Sequence, residues 1–216
     1  MHVLLILLLT LTFLHTDEFR RLNSSPTQEM LENLKKAQEC KAPFEAKENF
    51  DSDFRYGCFC GKGYPSLTSD TNKSFRDLDR DEKDALIAKY YLIKPIDSID
   101  EVCMKHDICY IYEGRKDQLC NDALYNELRV ISDKFYEQYQ KERNNSQAMR
   151  CQRLASDIGV VFKTIFGSGD NLSMMRLGMF MMINTPMTIM SKGIQRSSHL
   201  MNDAPLYPLP NERCSL

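Results

Sequence analysis

Apolar and polar positions divide the chain into an apolar head, several helix-period segments and a methionine-rich tail. Residues 3–14 form an apolar run broken only by Thr10 and Thr12, and charged residues begin at Asp17. The run is too short to span a bilayer comfortably and fits the core of a signal peptide, drawn here as residues 1–16. Met30, Leu31 and Leu34 make one face of a short amphipathic helix. Ser25 is its expected N-cap, Pro26 its first helical residue and Gln28 the partner in a capping box. Residues 17–50 are read as this helix and a connector. "DRDEKDALIAKYYLI" predicts a second helix with Leu86, Ile87, Tyr90 and Tyr91 facing inward, ended by Pro95.

"DSIDEVCMKHDICYIYE", residues 97–113, predicts a third helix. Asp97 or Ser98 caps it, and Asp100 and Glu101 sit in the first turn, where the dipole favours negative charge. Leu124, Leu128, Ile131, Phe135 and Tyr139 then carry helical spacing through a long helix over 118–145. The short "GRKD" turn makes these two helices antiparallel neighbours. One more helix is expected over 151–166. No period-2 strand and no internal repeat stand out, so the fold class is mainly α. By contrast "YGCFCGKGYP", residues 56–65, holds three glycines and a proline and must be a loop.

The tail is apolar but interrupted. Eight of the twelve methionines lie between Met174 and Met201, and Asn184 and Pro186 break the run. An interfacial segment, a covering flap and a cleaved pro-segment all fit it.

Composition narrows the setting. A chain of 216 residues suits one domain with appendages. A net charge of -2 and a pI near 6.1 predict no nucleic-acid partner. Eight cysteines behind an export signal read as mostly paired, in a secreted, extracellular protein. N-x-S sequons at Asn23, Asn72, Asn144 and Asn171 fit a secretory glycoprotein.

The candidate chemistry lies in "EVCMKHDICY", residues 101–110. On a regular helix, Cys103, His106 and Cys109 or Tyr110 share a face. Asp107 points about a quarter-turn aside, so imidazole and carboxylate address one cavity without bonding each other. The histidine would handle a proton and the aspartate a cation. Of four histidines, His2 and His15 fall in the signal and His199 in the tail, which leaves His106. A hard cation such as calcium takes several oxygens, including backbone carbonyls, and Gly61 and Gly63 permit the tight loop that supplies them. Zinc is a rival, with Cys58, Cys60, Cys103, His106 and Cys109 as soft ligands. So is a plain structural histidine.

Two motifs carry a resemblance. "YGCFCGKG" resembles the calcium loop of secreted phospholipases A2, Y-G-C-x-C-G-x-G. "DSIDEVCMKHDICY" resembles their active-site helix, D-x-x-D-x-C-C-x-x-H-D-x-C-Y. The likeness covers roughly residues 51–140, less a long insertion at about 65–95. The corresponding domain is drawn at 51–166, followed by the Met-rich extension 167–216. The resemblance implies a disulfide-braced antiparallel helix pair with a glycine-rich calcium loop.

Carried over by position, His106 is the base that activates water and Asp107 gives its carboxylate to Ca2+. Phe59, Gly61 and Gly63 give it backbone carbonyls. Asp97 and Asp100 match the acidic pair at the helix start, and Tyr110 a tyrosine that steadies the network. Cys60 would pair with Cys103, and Cys109 with Cys120. The carboxylate that orients the histidine normally follows the last of these cysteines directly. Asn121 stands there and Asp122 one later; a carboxylate stabilises imidazolium better, so Asp122 is taken. Cys58 is expected to bridge to Cys151 or Cys214, with Cys40 unassigned. Val102 and Tyr64 depart from the pattern, and the insertion is much longer than usual.

The implied function is calcium-dependent hydrolysis of the sn-2 ester of glycerophospholipids at a phospholipid membrane surface. A non-catalytic secreted binder on the same scaffold is the alternative.

Overall fold

The computed structural model describes residues 25–40, 55–61, 75–115, 117–142, 145–163, 205, 207–209 and 211–216. The segment read as a signal peptide, Gly63, all four sequons and the methionine cluster lie outside the described residues.

Three helices build the frame: α3 (Ser98–Glu113), α4 (Gln118–Lys141) and α5 (Ser146–Val161). Asp97 caps α3, its Oδ1 accepting from the backbone of Ile99 and Asp100. Asp117 caps α4 in the same way through Leu119 and Cys120. Cross-links fix the direction of packing. Cys109 is bonded to Cys120, His106 meets Asn121, and Lys105 reaches Glu127, so numbers fall along α3 as they rise along α4. The pair is therefore antiparallel, as the four-residue turn predicts.

The α4–α5 pair is antiparallel too. Ser132 bonds the Gln152 carbonyl, Gly159 lies against Tyr125 and Leu128, and Lys163 sits over the Tyr125 ring. This register carries the C-terminal end of α5 to the first turns of α4. Leu124, Leu128 and Phe135 of α4 meet Leu154, Ala155 and Ile158 of α5 in one buried core. Each fully buried Leu or Ile contributes roughly 1.5–3 kcal/mol.

Smaller elements close the ends of this frame. α1 (Gln28–Lys36) packs on α2 (Arg80–Tyr90), with Asn33 donating to the Ala88 carbonyl. β1 (Gln38–Glu39) runs parallel to β4 (Ile93–Lys94), and β2 (Arg55–Tyr56) pairs antiparallel with β3 (Cys60–Gly61). Gly57, between β2 and β3, has φ +62, and a Cβ there would overlap the Asp100 carboxyl. Only glycine meets both demands. A 3-10 turn, Phe75–Asp77, packs on α3.

Four disulfides use all eight cysteines: Cys40–Cys58, Cys60–Cys103, Cys109–Cys120 and Cys151–Cys214. Closing the 43-residue Cys60–Cys103 separation contributes about 4 kcal/mol in the chain-entropy account. Among the described residues no helix is long and apolar enough to cross a membrane.

Several expectations need correction. α1 starts at Gln28 behind Thr27, not behind Ser25, and its box partner is Met30, whose sulfur accepts from the Thr27 N–H. α2 stops at Tyr90, well before Pro95, because residues 93–94 leave the helix to pair with β1. α5 starts at Ser146 rather than 151, capped by Asn145. Cys58 pairs with Cys40, and Cys151 with Cys214, so the expected bridge from Cys58 to Cys151 or Cys214 is absent. The segment around Cys214 is tethered to the frame, as a cysteine at that position suggests. Tyr207 donates to Asp157, Gln147 to the Arg213 carbonyl, Arg150 grips Glu212, and Cys214 N–H donates to Asp97 at 2.8 Å.

Candidate active site

His106 sits mid-way along α3 and is 3 % exposed. Its Nε2 lies 2.9 Å from Asn121 Oδ1, in the first turn of α4. The same oxygen accepts from Tyr110 Oη at 2.5 Å. An amide oxygen can only accept, so Nε2 carries the proton and Nδ1 keeps its lone pair. That is the tautomer a base requires. Burial pushes the imidazole pKa down to about 4, against the opposing Asn121 bond, so the ring is neutral at physiological pH.

Asp122 does not meet the histidine. One residue along a helix is about 100°, and Asn121, turned inward and fully buried, takes the place assigned to Asp122. The assignment of Asp122 as the orienting group is therefore corrected to Asn121. The orienting partner is an amide, without the charge that would support imidazolium.

Asp107 follows on the adjacent face. The residue as a whole is partly exposed, but its Oδ2 is closed to solvent and has no hydrogen-bond partner. Burial holds its carboxyl well above the usual range, the Asp100 charge adds to this and Arg115 opposes it. An inaccessible, unpartnered carboxylate oxygen is costly unless a cation completes it.

The loop is tied to α3 at three points. Asp100, fully buried, accepts from Cys58 N–H at 3.1 Å, Phe59 N–H at 2.8 Å and Ile96 N–H at 3.1 Å. Asp97 Oδ2 accepts from the Tyr56 hydroxyl, and Cys60 is bonded to Cys103, one turn before His106. Phe59 is buried, its ring stacked on Tyr90 of α2 at 5.8 Å. Gly61 has φ +148, a conformation open to glycine. Its neighbour in the predicted ligand set, Gly63, lies outside the described residues.

The site thus brings His106, Asp107, Phe59 and Gly61 onto one helix-and-loop unit. Two partners were not assigned to the site from sequence. Tyr90, expected only to face inward on its helix, stacks on the loop, and Phe162, beyond the end of α5, presents its ring edge to His106 at 4.8 Å. With every cysteine in a disulfide, no thiolate remains for zinc. Among the described residues no three His, Cys, Asp or Glu side chains cluster as a metal site, so an ion here would rely on Asp107 and backbone oxygens. The chain matches no protein-family model, no curated protein and no solved structure.

Proposed function

We propose that the chain is a secreted, phospholipase A2-like hydrolase that cleaves the sn-2 ester of glycerophospholipids at membrane surfaces with Ca2+. One observation carries this reading. A neutral, tautomer-fixed imidazole stands directly before a carboxylate whose Oδ2 is buried without a partner. That oxygen fits a hard cation, and Asp107 with the carbonyls of Phe59, Gly61 and Gly63 would hold it. When bound, Ca2+ polarises an ester carbonyl and stabilises the charge that develops on its oxygen.

The remaining work falls to the chain. Nδ1 of His106 takes a proton from water as the water oxygen bonds to the ester carbon; the sn-2 C–O bond then breaks, fatty acid leaves, and Nδ1 returns the proton to the lysophospholipid oxygen. Asn121 and Tyr110 hold the ring so that the same nitrogen faces the substrate throughout. Asp100 and the Cys60–Cys103 bridge hold the loop against α3. Burial excludes bulk water and keeps the base neutral.

A second reading, a non-catalytic binder on this scaffold, is favoured by Asn121 itself, because an amide cannot offset the charge of imidazolium. Fatty-acid release from phospholipid vesicles separates the two. The hydrolase reading expects release that EDTA abolishes, a fall of about 10³-fold or more in His106→Gln, and loss of calcium binding in Asp107→Lys. No release from folded wild-type protein with calcium present leaves the binder.

A further inference from the structure

We propose that Phe162 controls access to His106, its ring edge covering the imidazole until a substrate displaces it. For the substrate, this rests on the hydrolase reading above.

The contact follows from helix register. Gly159 lies against Tyr125 and Leu128, and Lys163 over Tyr125, so the residues after Val161 arrive beside the first turns of α4. Asn121 is one turn earlier on α4 than Tyr125 and holds His106. Phe162 enters this corner and meets the imidazole edge-on, at 4.8 Å and 75° between ring planes. Tyr110 lies against the ring as well, at 4.1 Å.

A base 3 % exposed must be uncovered before an ester reaches it. The two aromatic covers differ in what their departure would disturb. Tyr110 sits one turn along the same helix and donates to Asn121 Oδ1, so its departure would unsettle the acceptor that fixes the tautomer. Phe162 stands past the last residue of α5, is only partly buried, and is held through its backbone N–H on the Ile158 and Gly159 carbonyls. Its side chain can rotate while those bonds stay. Side-chain size at position 162 then sets how often the imidazole is open and how bulky an acyl chain can pass.

The test follows His106 directly in the full chain with its disulfides intact. The rate of carbethoxylation by diethyl pyrocarbonate is located by peptide mapping, beside hydrolysis of short- and long-chain phospholipid vesicles. Phe162→Ala should raise His106 modification about fivefold, as loss of one aromatic pair allows, with the circular dichroism unchanged. Phe162→Leu, which keeps apolar bulk and cannot disturb the fold as much, should fall between. Phe162→Trp should leave modification no faster than wild type. Equal rates in wild type, Ala and Leu overturn the proposal even if hydrolysis persists. Modification that tracks side-chain size while no variant hydrolyses vesicles keeps the access role and removes the hydrolase reading.

Discussion

Asp100→Ala is the most searching perturbation of the fold around the site. The carboxylate is fully buried and accepts three backbone N–H groups, from Cys58, Phe59 and Ile96. Hydrogen bonds to a charged partner contribute roughly 1.5–3 kcal/mol each, so their removal costs about 5–9 kcal/mol before compensation. The same substitution removes a disfavoured buried charge. Burial, opposed by the three N–H bonds, pushes the Asp100 pKa up from 3.8 to about 6. That shift already contains the three bonds, so burial of the charge outweighs them and the bond sum is an upper bound. The net expectation lies below that bound, at about 2–6 kcal/mol of lost stability, with water entry into the vacated space favouring the low end. Urea unfolding at pH 7 in EDTA, followed by far-UV circular dichroism with disulfides intact, measures it. Amide exchange should quicken at Cys58, Phe59 and Ile96 before it does at Ile108. A loss below about 1 kcal/mol, or unchanged exchange at those three amides, would refute the claim that Asp100 holds the loop.

Two further outcomes are expected. Asn121→Asp places a carboxylate on His106 Nε2 and should raise the imidazole pKa by about 1–3 units, read from the ring C–H resonances during an NMR titration of calcium-free protein; an unmoved resonance would break the assigned pairing. Glu212→Gln should lower the melting temperature by removing the fork with Arg150. Partial burial pushes the Glu212 carboxyl up, but the Arg150 hydrogen bond, the Leu209 N–H and the Arg150 charge together outweigh it and leave the pKa below the ordinary 4.5. A depressed carboxylate pKa stabilises above the unfolded value. The advantage of wild type over Glu212→Gln should therefore be full above about pH 5 and shrink as pH falls through and below 4.5, as thermal melts across that range would reveal.

The frame was legible where its signals are local. Asp97 as the α3 cap, the spacing from Leu124 to Phe135 and the short turn at Gly114 each act within a few residues. The parallel pairing that ends α2 early was not, because its partner strand lies more than fifty residues away at Gln38. The bridge from Cys40 to Cys58 was hidden for a different reason: cysteine spacing does not determine connectivity. At the site, chemistry favoured Asp122 for its charge, while rotation about α4 selected Asn121. Phe162 falls within the helix expected over 151–166 with no local signal to mark it, and only the α4–α5 register brings it to the imidazole.

The bond from Cys214 N–H to Asp97 gives the candidate site a direction in time. Asp97 caps the helix that carries His106, yet one donor to its carboxylate, the Cys214 N–H, lies 117 residues further along the chain. Synthesis proceeds from the N-terminus, so α3 emerges long before that donor exists. The Cys151–Cys214 pairing waits for the same moment. A ribosome-bound chain thus holds the histidine helix without its last fastening. A chain cut before Cys214 would keep every motif, yet lose the joint that closes the helix start.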